Sequence, residues 1–205
     1  MIPSDRSFNP AYQTAISEAL LNLQDWYADQ LGGKTFTLRS PIVEPVFTGK
    51  PSISYSPTSF TQYFFDVSND AFALRGGGFF DANQVSVFYM DAEGDGSGGG
   101  GVAVLPAHDL RGLVGLEPLG VNRWIGGLGH ELGHAFGLPH PPACEVNCPF
   151  GPLMGFGYLT YPDAFLLPED KAILNASLSF TRHDLGTPPN GGNNVVPEPH
   201  SSLLH

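Results

Sequence analysis

The N-terminal segment carries apolar side chains at intervals of three and four residues, the spacing typical of a helix with one buried face. Asn9 followed by Pro10 provides an N-cap and a first-turn proline, and Gly32 provides a stop signal. The pattern therefore predicts one long helix between Ser7 and Leu31. Its apolar positions are Tyr12, Ile16, Ala19, Leu20, Leu23, Trp26, Tyr27 and Leu31.

Two later stretches also have a helical pattern. One covers Asn122 to Phe136, and its apolar residues recur at helical spacing. The other starts at Pro168, where Glu169 and Asp170 follow in the first turn and complement the positive end of the helix dipole. The sequence thus predicts a second helix past the middle of the chain and a third near its end.

Several short runs rich in branched and aromatic residues lie between stretches of Pro, Gly, Ser and Asn, a pattern typical of β-strands. They predict a sheet of about four or five strands. The runs are 35–38, 42–47, 63–67, 85–90 and 102–105. Residues 91–101, rich in glycine and acidic residues, are expected to form a loop between the last two strands.

The overall composition indicates one loop-rich globular domain. The chain has 205 residues, of which 41% are hydrophobic, with 26 Gly and 19 Pro. Twenty acidic residues against nine Lys and Arg give a net charge of -11, which makes nucleic acids and anionic membranes poor partners. The chain contains no apolar run long enough to cross a membrane. Residues 1–184 are expected to form the domain and 185–205 a flexible tail.

The stretch from His130 to His140 carries the clearest chemistry. His130 and His134 are four residues apart and share one face of a helix, with Glu131 beside them, which is the zinc and general-base arrangement of H-E-x-x-H. Gly137 then permits a sharp turn that can bring His140 back as a third ligand. Three neutral imidazoles that leave a fourth position to water describe a catalytic zinc site.

These eleven residues match H-E-x-x-H-x-x-G-x-x-H without departure, and in this the chain resembles the metzincin clan of zinc endopeptidases. The resemblance assigns Met154 to the methionine turn that passes beneath the metal. It also implies an α+β fold with an α/β-like upper half. That fold has a long N-terminal helix, a twisted, mostly parallel sheet with an antiparallel edge strand, and an active-site helix. The upper subdomain would cover about 7–137, and a small irregular lower half with a C-terminal helix about 138–184.

The resemblance further implies peptide-bond hydrolysis in proteins or peptides by one zinc ion held by the three histidines, with Glu131 as general base. In metzincins an extended substrate pairs with an edge strand, and 101–105 is the candidate for it, the alternative being an interior strand. Where some metzincins place an oxyanion-stabilising tyrosine, this chain has Phe156. Tyr158 and Tyr161 lie nearby, although a pocket wall or core role is commoner for such residues.

Cys144 and Cys148 would form a disulfide in an exported protein, and free thiols or metal ligands in a cytosolic one. The first of these is favoured. Asp91, Glu93 and Asp95 copy the first half of a calcium loop but lack its final glutamate, so a solvated acidic loop is the simpler interpretation and calcium the alternative. A second metal at the pair formed by residues 108 and 109 would need more ligands than the sequence offers there.

The N-terminus has no signal-peptide pattern, so the protein is either cytosolic or exported with its signal removed. The segment Val196 to Pro199 resembles the opening of the PEP-CTERM sorting signal of exported bacterial proteins, without the membrane span and arginine cluster that complete the signal. The resemblance implies a secreted bacterial protein, and the alternative is a proline-rich end without a sorting role. A monomer is expected. Two functions other than proteolysis stay open. These are a non-proteolytic or inactive zinc-binding module, against which the intact Glu131 argues, and a hydrolase of non-peptide amides.

Overall fold

A computed structural model describes residues 1–56 and 59–182 of the chain. The expected tail at 185–205 lies outside these residues. Helix α1 spans Pro10–Gln30, close to the predicted bounds, and the side chain of Asn9 caps it by accepting a hydrogen bond from the backbone N–H of Ala11 at 3.0 Å. Its buried face includes Leu23 and Tyr27, which are fully enclosed in the core.

The second helix, α2, spans Phe60–Arg75 and corrects the predicted strand at 63–67. Tyr63, Val67 and Ala71 are buried and lie four residues apart, so the run has one apolar face at helical spacing. The side chain of Ser59 accepts a hydrogen bond from the backbone N–H of Gln62 and starts the helix. The aromatic density of this segment suggested a strand, but its period is that of a helix.

Three more helices follow: α3 at Ala107–Leu113, α4 at Gly120–Ala135 and α5 at Pro168–Ala176. The last two confirm the predicted helices within two residues at each compared end. Single turns of 3-10 helix occupy Ser52–Tyr55, Pro142–Glu145 and Phe156–Thr160. No helix of the described residues is long and apolar enough to cross a membrane.

The central sheet has three strands, β2 at Ser86–Tyr89, β3 at Ser97–Gly99 and β4 at Val102–Leu105. Their order is β2-β4-β3, with β2 parallel and β3 antiparallel to β4. A separate antiparallel pair joins β1 at Lys34–Thr35 to β5 at Thr181–Arg182. The antiparallel edge strand and the mixed α/β architecture confirm the expected fold class, but the central sheet is smaller than predicted.

The predicted strand at 42–47 does not form. Pro45 interrupts the run and has no N–H to donate to a ladder. Within this segment, Phe47 forms an isolated parallel bridge with Ile2.

Strand β4 separates two hydrophobic clusters, because successive side chains of a strand point to opposite faces. Ala103 and Leu105 pack in the larger cluster with residues of α1 and α4 and with Leu153 and Met154. Val102 and Val104 pack in a smaller cluster with α2. All four side chains are inaccessible to solvent, so the sheet is covered on both sides and α4 is fixed against it.

Candidate metal centre

Helix α4 carries the first two histidines and is unusually rich in glycine, a residue that weakens a helix interior. At three positions another element packs where a side chain would stand. A Cβ at Gly126 would lie 2.2 Å from the carbonyl oxygen of Tyr158, and one at Gly133 would lie 2.4 Å from the sulfur of Met154. The glycines therefore let the segments that carry Met154 and Tyr158 pack directly on the helix that holds the candidate site.

The turn after α4 brings the third histidine back to the helix. Gly137 adopts a φ of 92°, a left-handed conformation that favours glycine. The backbone N–H of Leu138 then donates to the carbonyl of Gly133 at 3.0 Å, which ends the helix in a tight reversal. His140 follows within three residues and lies beside His134.

The three imidazoles converge on one point. The Nε2 atom of His134 lies 3.2 Å from that of His130 and 2.9 Å from that of His140, and the remaining pair is 3.3 Å apart. Among the described residues, these three form the one group of three or more His, Cys, Asp or Glu side chains close enough to share a metal ion.

Hydrogen bonds at Nδ1 fix the orientation of two of the rings, so that their Nε2 atoms face the centre. The Nδ1 atom of His130 donates to the carbonyl of Leu153 at 2.8 Å, and that of His134 donates to the carbonyl of Leu138 at 2.8 Å. A carbonyl oxygen can only accept, so each Nε2 presents a lone pair to the centre. Lone pairs facing one another at this distance repel unless a cation lies between them.

A tetrahedral zinc site fits this arrangement. Zinc–nitrogen distances of about 2.0–2.1 Å place tetrahedral ligand atoms about 3.3–3.4 Å apart, close to the spacings of 2.9–3.3 Å between the Nε2 atoms. Histidine ligands whose other nitrogen donates to a carbonyl are the usual pattern at such sites. The donor set thus suits a divalent transition metal with one position left for water.

Burial disfavours protonation of His130 and His134. It lowers the pKa of His130 to about 4, with the nearby histidines adding to the effect. Burial also lowers the pKa of His134 below its ordinary value. A metal competes with a proton for the same lone pair, so neutral imidazoles at neutral pH favour metal binding.

Glu131 lies next to the histidines on α4 and contacts the glycine-rich segment above them. Its carboxylate oxygen would be 3.5 Å from a Cβ at Gly96. Burial raises the pKa of Glu131 to about 8, the charge of Asp109 adds to this, and Arg123 opposes it. A cation in the centre would lower this pKa, because opposite charge favours the ionised carboxylate.

The candidate substrate strand at 101–105 is wrong, because β4 is the interior strand of the sheet and its side chains are fully buried. The edges of the sheet are β2 and β3, and the antiparallel edge strand is β3, which lies within the predicted loop. It packs directly on α4, since a Cβ at Gly98 would lie 2.0 Å from the carbonyl oxygen of Glu131. Glycine has low strand propensity, so the sequence carried no signal for β3.

Met154 and Tyr158 lie next to the histidine cluster, whereas Tyr161 does not. Met154 is fully buried beneath α4, against Gly133, as the resemblance implied. The ring of Tyr158 packs edge-on to His130 with centroids 5.1 Å apart. Tyr161 is buried and donates a hydrogen bond to Asn22 at 2.6 Å, so it belongs to the core and not to the site.

Sequence reasoning missed Arg123, which lies two turns before Glu131 on α4. Its guanidinium lies 4.4 Å above the ring of Trp124 and 4.9 Å from the ring of Tyr158. The signal that could have found it is its spacing. Arg123, Gly127 and Glu131 are four residues apart in sequence and therefore lie on one face of the helix.

The remaining sequence expectations are partly met. Cys144 and Cys148 form the expected disulfide. Of the three acidic residues of the calcium alternative, Glu93 forms an ion pair with Arg111 at 2.9 Å, and no cluster of ligands appears there within the described part of the chain. His108 and Asp109 pair with each other and not with the histidine cluster.

Comparison with known proteins supports the fold. No family model matches the chain, and no curated protein matches it in sequence. Wild-type OgpA from Akkermansia muciniphila superimposes in one crystal form with a TM-score of 0.60 and 22% identity, and in another with 0.56 and 22%. Catalytically inactive OgpA in complex with an O-glycopeptide substrate gives a TM-score of 0.58 at 20% identity.

The overlap covers 86–88% of this chain but only 58–59% of OgpA. The chain therefore spans less than two thirds of the length of that protein. At this level of identity the similarity concerns architecture, and the mixed α/β fold of this chain is similar to the fold of OgpA.

Proposed function

We propose that the protein is a zinc-dependent endopeptidase that hydrolyses peptide bonds in proteins or peptides. The observation that carries the proposal is the convergence of the Nε2 atoms of His130, His134 and His140, with Glu131 adjacent. A structural zinc site closes all four positions with protein ligands, whereas three ligands leave one for chemistry. The fold shared with OgpA, whose inactive form binds an O-glycopeptide substrate, supports peptides as the substrate class.

Each residue has a distinct role in the proposed reaction. Bound zinc supplies Lewis acidity, which lowers the pKa of water and polarises a carbonyl group. The carbonyls of Leu153 and Leu138 hold the rings of His130 and His134 in the orientation that a ligand needs. Glu131 accepts the proton of the attacking water at its carboxylate and delivers it to the amine that leaves.

The outer edge of β3 is the proposed site for the peptide backbone. Ser97 to Gly99 pair with β4 on one side, and within the described residues no strand covers their other side. Free N–H and C=O groups of an edge strand can pair with an extended peptide. The glycines keep this edge free of side chains next to Glu131, so a bulky or modified peptide can approach.

The proposed setting is extracellular and bacterial, with the protein acting as a monomer. The disulfide between Cys144 and Cys148 supports an oxidising compartment. Calcium is not part of the proposal, because Glu93 is held by Arg111.

The decisive experiment compares the zinc-loaded protein with Glu131→Gln on a mixture of denatured proteins and O-glycopeptides. We expect the wild type to cleave and the variant to lose about 10²–10⁴-fold in kcat while retaining zinc. A chelator should abolish cleavage, and Glu145→Gln, which changes an exposed carboxylate outside the centre, serves as the matched control. Zinc binding without cleavage of any substrate would instead support the non-proteolytic module.

A further inference from the structure

The aromatic ring of Tyr158 lies between Arg123 and the candidate metal ligand His130. The guanidinium of Arg123 contacts the ring of Tyr158, which in turn packs on the ring of His130. Gly127 provides the space for this side chain, since a Cβ there would lie 2.6 Å from an Nη atom of Arg123. The absence of a side chain at Gly127 lets Arg123 extend along the helix face that also carries Glu131.

The charge of Arg123 has no partner within residues 1–56 and 59–182. The ion pairs of this part of the chain use Lys50, Arg75, His108 and Arg111, and Arg123 makes neither an ion pair nor a side-chain hydrogen bond there. The Oδ1 atom of Asp109 approaches the same glycine, and its Oδ2 atom binds His108 at 3.0 Å, but Asp109 forms no ion pair with Arg123. Arg123 is half-buried and its charge acts on Glu131 at longer range, yet its N–H groups have no hydrogen-bond acceptor among the described residues.

The aromatic contacts of Arg123 limit what its side chain can bind. Its guanidinium carbon lies over the rings of Trp124 and Tyr158, and these contacts use none of its five N–H donors in hydrogen bonds. Aromatic contacts leave these donors unused and reduce the freedom of the side chain. A planar carboxylate that accepts two parallel hydrogen bonds is the complementary ligand.

We propose that Arg123 is a specificity residue that binds the carboxylate of an Asp or Glu side chain close to the scissile bond of the peptide substrate. The proposal rests on the endopeptidase function proposed above. A purely structural role, in which Arg123 only holds Tyr158 and Trp124 together, predicts no preference for substrate charge. The two roles are therefore separable by substrate pairs.

The test uses peptides that contain a cleavable sequence and differ only by Glu or Gln at one position near the cleavage site. For the zinc-loaded wild type we expect kcat/KM to favour Glu by roughly tenfold or more at one position. Arg123→Gln should bring the ratio close to one, and Arg123→Lys should retain part of it because the charge remains. Gly127→Ala displaces the side chain without changing its charge and should also reduce the ratio.

Arg39→Gln is the matched control, because it removes one charge from an exposed arginine and should leave the ratio unchanged. Equal rates for Glu and Gln peptides in the wild type, or a ratio that survives in Arg123→Gln, would overturn the inference. Circular dichroism and zinc content identify a variant that has failed to fold, and Gly127→Ala then decides the outcome.

A binding assay separates this inference from the proposed function. The same labelled peptide pairs are titrated with zinc-loaded Glu131→Gln protein and followed by fluorescence anisotropy. We expect the Glu131→Gln protein to bind the Glu peptide more tightly than the Gln peptide, and the double variant Glu131→Gln/Arg123→Gln to bind both equally. This result would support the carboxylate site even if no substrate is cleaved. Equal affinity for both peptides contradicts it.

Discussion

Asp109 is a buried carboxylate beside the candidate centre, and His108 is its ion-pair partner. The Nε2 atom of His108 lies 3.0 Å from the carboxylate, which is only 7% exposed. The charge of Asp109 raises the pKa of Glu131. A protonated His108 would offset part of the charge of Asp109.

We expect the pair to stabilise the protein more at low pH than at high pH. The hydrogen bond with Asp109 raises the pKa of His108 above 6.5, against burial and the charge of Arg111. Its contribution is therefore fully present below pH 6.5 and is lost as the pH rises through the raised pKa. The side chain of His108 is one third exposed, so the gain stays below about 1 kcal/mol.

Urea unfolding of the wild type and His108→Gln, at about pH 5.5 and about pH 8.5, checks this prediction. The free-energy difference between the two proteins should be larger at the lower pH. A difference that is equal at both values, or larger at the higher one, would show that the histidine is not stabilised as a cation. Glu93 and Trp124 also face His108 and stay unchanged in both proteins.

At the scale of elements, the close packing of β3 on α4 depends on the absence of a side chain at Gly98. We expect Gly98→Ala to force the strand away from the helix, because a new Cβ would meet the carbonyl of Glu131, a backbone atom that cannot rotate away. The cost should be about 2 kcal/mol or more. Gly78→Ala is the control, since a Cβ there would meet no neighbour within 4 Å.

Guanidinium unfolding and peptide cleavage are the two measurements for Gly98→Ala. Loss of both stability and cleavage would support the view that β3 is fixed by α4 and forms the rim of the centre. If Gly98→Ala were as stable as Gly78→Ala, the strand would have to be free to shift. This result would contradict the view that β3 is fixed by α4 and presents a rigid edge to the peptide.

The same two elements show how far the sequence predicts the fold. Helix α4 was predictable because its apolar residues repeat at helical spacing around the histidines, and Asn9 with Pro10 marked the start of α1. Strand β3 was not, because a Ser-Gly-Gly segment has no strand preference of its own and owes its conformation to pairing with β4. Helix α2 shows a third case, in which the buried spacing was present but the aromatic content suggested a strand.

For the candidate site, the division is between local and distant residues. The three histidines and Glu131 lie within eleven residues, so one helix and one turn bring them together and the motif suffices. Tyr158 lies in the 3-10 turn Phe156–Thr160, and its contact with His130 depends on how this turn packs on Gly126. No spacing in the sequence encodes such a contact, since it results from tertiary packing.

At the scale of the whole molecule, the candidate centre joins α4 to the segments that follow it in the chain. His130 and His134 belong to α4, whereas His140 lies after the turn that ends α4, and the carbonyl of Leu153 accepts the hydrogen bond from His130. A metal bound by all three histidines would tie these parts together in the folded state. Such a ligand stabilises the native state by an amount that grows with the logarithm of its free concentration divided by its Kd.

We therefore expect zinc to raise the Tm of the metal-free protein. The free energy of unfolding should increase by about 2.7 kcal/mol when free zinc is one hundred times its Kd. His140→Ala should lose most of this stabilisation, because the remaining two ligands both lie on α4 and no longer connect it to the lower half. His108→Gln, which removes a histidine outside the cluster, should keep the full zinc-dependent shift. Calorimetry with and without chelator measures all three proteins, and a zinc shift that persists in His140→Ala would mean that this histidine is not a ligand.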